Sequence, residues 1–334
     1  MIALTRRGIT ASVAGLTLAA SLAGCGLGAS VVGLHDAPAE RTDAAPLNVD
    51  GAEKVAARVL DAAAAARGAT GTAAAKAQSE VLAGAALAQA KAATRLGTVT
   101  ASDPLQQSSD PEVVAVSSGK AWPRAILVGT LDKASKTQTL HVLMSASATE
   151  PFKVHASVPM LPGTSIPAIG DLAVGSPLVK PTDKAGALFT PIQALTGYAS
   201  GLNYPKPTVN KSIPTTDAYA TALRSSTAAQ VRSLGKLATL SQKHTVVPDN
   251  TIAFRLADGG TVTFGQLVRK DVITANKAAK ELVIPGTYSK LIGKTKANKS
   301  ITINSLENLV MVVPATGTTS TVGADEQIVS ATAE

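Results

Sequence analysis

The only cysteine among the 334 residues is Cys25. No disulfide can form within the chain, so whatever it folds into must be held by its apolar core. Material for a core is present: 45% of the residues are hydrophobic, although only 3% are aromatic and much of the apolar count is alanine. The length suggests two domains. So few aromatic rings argue against a stacking platform for single-stranded nucleic acid or sugars.

Cys25 closes a stretch built like a secretory signal. Arg6 and Arg7 supply a positive start, residues 9–22 carry no charge, and the small residues Ala23 and Gly24 stand before the cysteine. The apolar run is shorter than the ~20 residues a spanning helix needs, so a cleaved signal over 1–25 is expected. Leu22-Ala23-Gly24-Cys25 resembles the bacterial lipobox. In that family of signals the cysteine thiol receives a diacylglyceryl group and the preceding peptide is removed. The resemblance implies lipidation at Cys25, with the chain anchored on the extracytoplasmic face of the cell membrane. The other reading is an ordinary signal whose first mature residue is cysteine. Each buried methylene contributes ~0.8 kcal/mol, and two acyl chains hold stably where one does not. Residues 26–46, without period, read as a flexible tether.

Further on, the hydrophobic spacing predicts an α+β fold. It takes the form of two tandem domains, each of helices followed by a curved antiparallel sheet. In domain 1 (47–204), Asp50 and Glu53 resemble a capping pair. Val55, Val59, Ala63 and Ala66 then recur at helical spacing, and a second helix is predicted over 72–96, ended by Gly97. From Glu112 the period becomes that of strands, near 113–116, 125–130, 137–145 and 152–159. Alternation pairs Met144 with Phe152, Val142 with Val154 and Leu140 with Ala156 in a hairpin. Thr190-Pro191 is a helix start. Pro205, Pro207 and Pro214 mark a stiff linker over 205–214. Domain 2 (215–334) opens with a helix capped by Thr216 or Asp217, carrying Tyr219, Leu223, Val231, Leu234 and Ala238. A hairpin follows around Asp258-Gly259-Gly260, with Ile252, Phe254, Val262 and Phe264 alternating. Further strands are predicted near 282–284, 300–303, 309–313 and 327–331.

Trp122-Pro123-Arg124, the Leu161-Pro162-Gly163 loop, Tyr198-Ala199 and Phe254-Arg255-Leu256-Ala257-Asp258-Gly259-Gly260 together resemble a family of actinobacterial lipoproteins whose ectodomain has no assigned function. That resemblance implies an envelope protein and brings no catalytic residues. The order of elements is similar to tandem nuclear-transport-factor-2-like cones, a fold that hosts many functions.

The chemistry-bearing residues are few. His141 and His155 face each other in the predicted hairpin, which gives two imidazoles where a zinc site needs three or four ligands. They read as an exposed cross-strand pair, and no metal is expected. Gly293-Lys294-Thr295 lacks the glycine a phosphate loop requires five positions earlier, where Tyr288 stands. Asp171 and Tyr198 are the nearest acid–base candidates, and they read as a loop aspartate and a packed tyrosine. Trp122 reads as a core plug. No catalytic residue and no cofactor is assigned.

The formal charge is +8, and an exported, tethered chain excludes nucleic acid as its partner. Between Arg269 and Lys299, eight cations (Arg269, Lys270, Lys277, Lys280, Lys290, Lys294, Lys296 and Lys299) oppose only Asp271 and Glu281. The excess of six equals the charge of the chain without Arg6 and Arg7. One reading is solvated lysines on strand edges. The other is contact with anionic lipid or wall polymer through Arg269, Lys270, Lys290, Lys294, Lys296 and Lys299. The sequence thus points first to a non-enzymatic, lipid-tethered binding or scaffold protein of the cell envelope, whose protein partner is unspecified. A hydrolase or isomerase, or a carrier of a small molecule or lipid, remains as the alternative.

The lipobox yields a direct test. Cys25→Ala is expected to move the protein from the membrane fraction to the soluble one or to block its maturation. Equal membrane retention of mutant and wild type after signal cleavage contradicts it.

Overall fold

The computed structural model describes residues 45–69, 71–99, 103, 105, 110–277 and 279–334. Cys25, the signal and most of the tether lie outside them. Residues 43–334 form one compact unit.

Three helices come first: α1 (Val49–Gly68), α2 (Gly71–Val81) and α3 (Gly84–Leu96). The cap of α1 is Asn48, whose extended backbone lets its side chain accept from the Gly51 amide. Asp50, predicted as the cap, instead lies in the first turn, where a negative charge suits the helix dipole. The helix predicted over 72–96 is in fact two. Leu82 bridges to Val154, the Ala83 amide donates to the Val154 carbonyl, and Gly84 turns at φ +49. Gly84 also lies so close to His155 that a Cβ there would stand 2.2 Å from the ring.

Strands β1 (Glu112–Val116), β2 (Arg124–Leu131), β3 (Gln138–Ser145) and β4 (Lys153–Pro159) pair antiparallel in sequence order. The β3–β4 register differs from the alternation-based one by two residues. Val142 faces Ala156, Leu140 faces Val158 and His141 faces Ser157, with a bulge after Val142. Up to the bulge the two-residue slip keeps Leu140, Val142, Ala156 and Val158 on one face, which alternation cannot distinguish; past it the shift is one residue, and Val154, expected on that face, turns to the helices with Leu143. His141 and His155 are therefore not opposite each other, and both are buried.

The second half runs β5 (Leu178–Val179), α4 (Pro191–Leu202), α5 (Ala218–Leu234), β6 (Ala238–Arg255), β7 (Thr261–Ala275), β8 (Leu282–Val283), α6 (Gly286–Ile292), β9 (Lys296–Ala297), β10 (Ser300–Val313) and β11 (Ser320–Ala333). Thr190 caps α4 in a full capping box with Gln193, and Pro191 follows it. Asp217 caps α5. Gly235 ends α5, so Ala238 belongs to β6 and not to the helix. The strands predicted at 300–303 and 309–313 are one strand. The five-stranded antiparallel sheet has the order β11-β10-β7-β6-β5, while β8 and β9 form a small separate pair. Helices followed by antiparallel strands thus occur twice, and the fold class is α+β.

The layers stack as helices, sheet, sheet, helices. Leu143, Val154, Ile126 and Val128 pack beneath α1 and α3. The opposite face of the same sheet, with Leu127, Leu140, Val142 and Val158, packs on Phe254, Val262, Phe264 and Val310 of the second sheet. Beyond that, Leu267, Leu309 and Met311 meet Leu195 and Tyr198 of α4. The Pro-rich 205–214 stretch therefore corrects the expected boundary. It joins α4 to α5, whereas the chain passes from one sheet to the other at 160–177. Within β6, residues 248–251 stand where β7 spends only Gly265. This odd slip reverses β6, so that Leu240, Gln242 and His244 face the helices while Ile252 and Phe254 face the first sheet.

Gly84 and Gly293 separate two effects. Both have positive φ, but open space surrounds a Cβ on Gly293. Gly293→Ala should cost about 1–2 kcal/mol from its backbone conformation. Gly84→Ala adds a clash with a buried ring and should cost about 3 kcal/mol or more. Urea unfolding measures both, and equal losses would show that His155 yields freely.

Candidate functional site

Past the end of the inter-sheet core, the helix-facing side of the long sheet turns polar. Strand pairing sets the grid. Gln242 of β6 lies opposite Asp271 of β7, His244 opposite Arg269, and Glu307 of β10 opposite Glu326 of β11. Alternation puts Arg269 and Asp271 on the same face. Across from them α5 presents Tyr219, Ala222, Leu223, Ser226 and Gln230, and α6 contributes Tyr288. Together with Gln242, Arg269, Asp271, Glu326 and Ile303 these helix residues line a cavity of about 330 Å³, with His244 and Glu307 behind it. Tyr219, Ala222/Leu223, Ser226 and Gln230 recur at helical spacing, so a single helix face covers the site.

Arg269 is the hub, and only 8% of its side chain is exposed. Its Nε lies 3.2 Å from Asp271 Oδ2, and one terminal nitrogen donates to both Glu307 Oε1 (3.1 Å) and Glu326 Oε2 (2.6 Å). Burial disfavours the charge on Arg269, but Asp271, Glu326 and Glu307 outweigh it and keep the guanidinium protonated. Glu307 is fully buried. Burial pushes its carboxyl up, while His244 and Arg269 pull it below the usual carboxylate range. His244 Nε2 sits 3.3 Å from Glu307 Oε1, near enough for attraction but not aligned as a hydrogen bond. For Asp271 burial prevails and its carboxyl is raised, although Arg269 opposes the shift. The Tyr219 hydroxyl donates to Glu326 Oε2 at 3.3 Å. Burial and the nearby Glu307 and Glu326 hold that phenol well above its ordinary value, so it stays neutral. Gln242 is fixed from the helix side, since Thr227 Oγ1 donates to its Oε1.

Several predicted positions fall elsewhere. Arg269 leaves the proposed surface strip because strand alternation turns it inward. Lys270, next to it, is exposed on the other face opposite Lys243. Lys290, Lys294, Lys296 and Lys299 are exposed around α6 and β9, and Lys296 pairs with Glu281 at 2.7 Å. The Tyr198 hydroxyl donates to Asp217, not Asp171, and Asp171 lies in an exposed loop. His141 is bound to Thr130 Oγ1 at 2.8 Å, and burial pushes its imidazole down to about 3, so it is neutral. Trp122 is no core plug. It is 37% exposed, stacks under Arg124 at 4.5 Å and borders a separate apolar groove of about 390 Å³ with Met144, Leu178 and Ile252. Among the described residues no three His, Asp or Glu side chains converge as a metal site, and no helix is long and apolar enough to cross a membrane.

A second polar feature joins the two halves. Asn250 donates to Gln266, Gln266 to Asn308, Asn308 to Gln89 of α3, and Gln89 to Asp325. Burial raises the Asp325 carboxyl to about 6, against the hydrogen bonds from Gln89 and Asn308.

No family model, curated protein or solved structure matches the chain.

The raised Asp325 carboxyl fixes a sign. The folded state holds this proton more tightly than the unfolded state, so the group's contribution is complete below about pH 4 and is lost as pH rises through 6. Asp325→Asn should therefore stabilise the protein at pH 7 by up to about 3 kcal/mol, with the gain vanishing near pH 4. Urea unfolding at both values measures this, and an equal gain at both would remove titration as the cause.

Proposed function

We propose that the chain is a lipid-anchored binding protein of the cell envelope, held through Cys25, and that the cavity between α5 and the long sheet is its ligand site. The observation that carries this reading is the buried ion cluster lining the cavity. A buried charge network rarely outperforms apolar packing in stability, so its presence at a cavity marks a site. The volume lies at the low end of ordinary small-molecule pockets, and Ala222, Leu223 and Ile303 give it an apolar wall.

Binding is favoured over catalysis by where the groups point. Ser226 lines the cavity but no imidazole does, since His244 lies outside the lining beside Glu307. The carboxylates are engaged with Arg269 instead of standing as an acid–base pair across a reacting atom.

The test uses the chain from residue 26, which contains the whole compact unit. Three four-carbon probes, 1,4-diaminobutane, 1,4-butanediol and succinate, are titrated by calorimetry. At least one should bind to wild type, and Ala222→Trp, which fills the cavity, should abolish that binding while the fold is retained by circular dichroism. Absence of binding by all three, or binding that survives Ala222→Trp, overturns the reading.

A further inference from the structure

The cavity's charges do not balance. Three carboxylates (Asp271, Glu307 and Glu326) surround one guanidinium. The set sums to −2 with His244 uncharged and to −1 with it protonated. Burying uncompensated charge costs several kcal/mol per ion after relaxation, so the arrangement lacks positive charge. Arg269 cannot supply more. It carries a single positive charge, its Nε lies beside Asp271 without an aligned hydrogen bond, and one terminal nitrogen already serves both glutamates.

What remains unpartnered is also an acceptor. Asp271 is 7% exposed and lines the cavity, and its Oδ1 has no hydrogen-bond partner. Glu307 Oε2 is likewise buried and unpartnered. A buried acceptor left unmade costs about 1–3 kcal/mol, and more if charged, so a donor arriving at Asp271 Oδ1 would recover that loss. An anion would meet three carboxylates. A bare divalent cation would have to displace Arg269 from the point where they converge.

The rest of the lining fits an organic cation. Tyr219 and Tyr288 bring two aromatic rings to a cavity rimmed by carboxylates. A cation over a tyrosine face gains about 0.5–2 kcal/mol, the upper value when desolvated. Leu223, Ala222 and Ile303 offer contact to methylenes.

We infer that the cavity takes a small organic cation, a primary ammonium on a short apolar body, held by Asp271 and Glu326 and flanked by the two tyrosines. This rests on the reading of the cavity as a ligand site. The ammonium donates to Asp271 Oδ1 and faces Glu326, whose side chain is 43% exposed and so stands where a ligand enters. No bond is made or broken, and the ligand supplies the charge the cluster lacks.

The same three probes separate this inference from the reading it rests on. In low salt, 1,4-diaminobutane should bind wild type at least tenfold more tightly than 1,4-butanediol, and succinate should not bind. Glu326→Gln should weaken the diamine about tenfold and leave the diol unchanged. It is the safer variant because Glu326 is partly exposed; Asp271→Asn is the second. Thermal unfolding of each variant checks that it is folded. The wild-type ranking decides the matter even if neither variant folds. Diol or succinate binding as well as the diamine, with loss in Ala222→Trp, would overturn the cation assignment and leave the ligand site standing. No binding by any probe would overturn both. Sedimentation with phosphatidylethanolamine and phosphatidylcholine vesicles distinguishes the source of the ammonium. Selective binding to the former, competed by diaminobutane, assigns a lipid headgroup. Its absence, with diamine binding intact, assigns a free amine.

Discussion

On β3, Leu140 and Val142 point into the seam between the sheets, while Leu143 points to the helices. A four-stranded sheet that is apolar on both faces must be covered twice, and α1–α3 cover it only once. The second cover is the inter-sheet core of Phe254, Val262, Phe264 and Val310. Sheets packed face to face exclude water from a core about 10 Å thick, so each half depends on the other to cover one face of its sheet. With no internal disulfide available, this shared layer is what makes residues 43–334 one unit.

The long strands outrun that layer. Where β6, β7, β10 and β11 extend past the first sheet, their helix-facing side meets a small distal core of Leu240, Ile273, Ile301 and Ile303 with α6, and the ion cluster. Placing Arg269 and three carboxylates there, and not in the seam, confines the polar groups to a region with its own cavity. Desolvation is offset by mutual pairing, while the inter-sheet seam stays apolar.

Local chemistry was legible in the sequence. The Thr190-Pro191 start, the cap at Thr216 or Asp217 (it is Asp217), the Gly97 stop and the hairpin about Asp258-Gly259-Gly260 each depend on residues within a turn of one another, and each stands where its spacing put it. What depends on distant partners was not. The break at Leu82 is made by the backbone of Val154, and the β3–β4 register is decided by a bulge to which alternation is blind. The ion cluster was hidden for the same reason. Its charged members come from four strands, with Tyr219 and Tyr288 added from two helices, and counting charge along the chain merged the inward Arg269 and Asp271 with exposed lysines. The available signal was the spacing of two between Arg269 and Asp271, matched by Gln242 and His244 in the paired strand.

The amide chain from Asn250 to Asp325 has a sense of direction. Each side-chain amide donates forward and accepts from behind, and the ionised carboxylate at the end accepts only. One terminal group thus orders four amides in series, since turning any one of them sets oxygen against oxygen and nitrogen against nitrogen. Such a row behaves like a column of aligned dipoles pinned at one end. Its free end, Asn250, lies between Asp249 and Thr251, which border the groove beside Trp122. The orientation of a polar group at that rim is therefore set by the ionisation of a carboxylate on β11, the opposite edge strand of the same sheet.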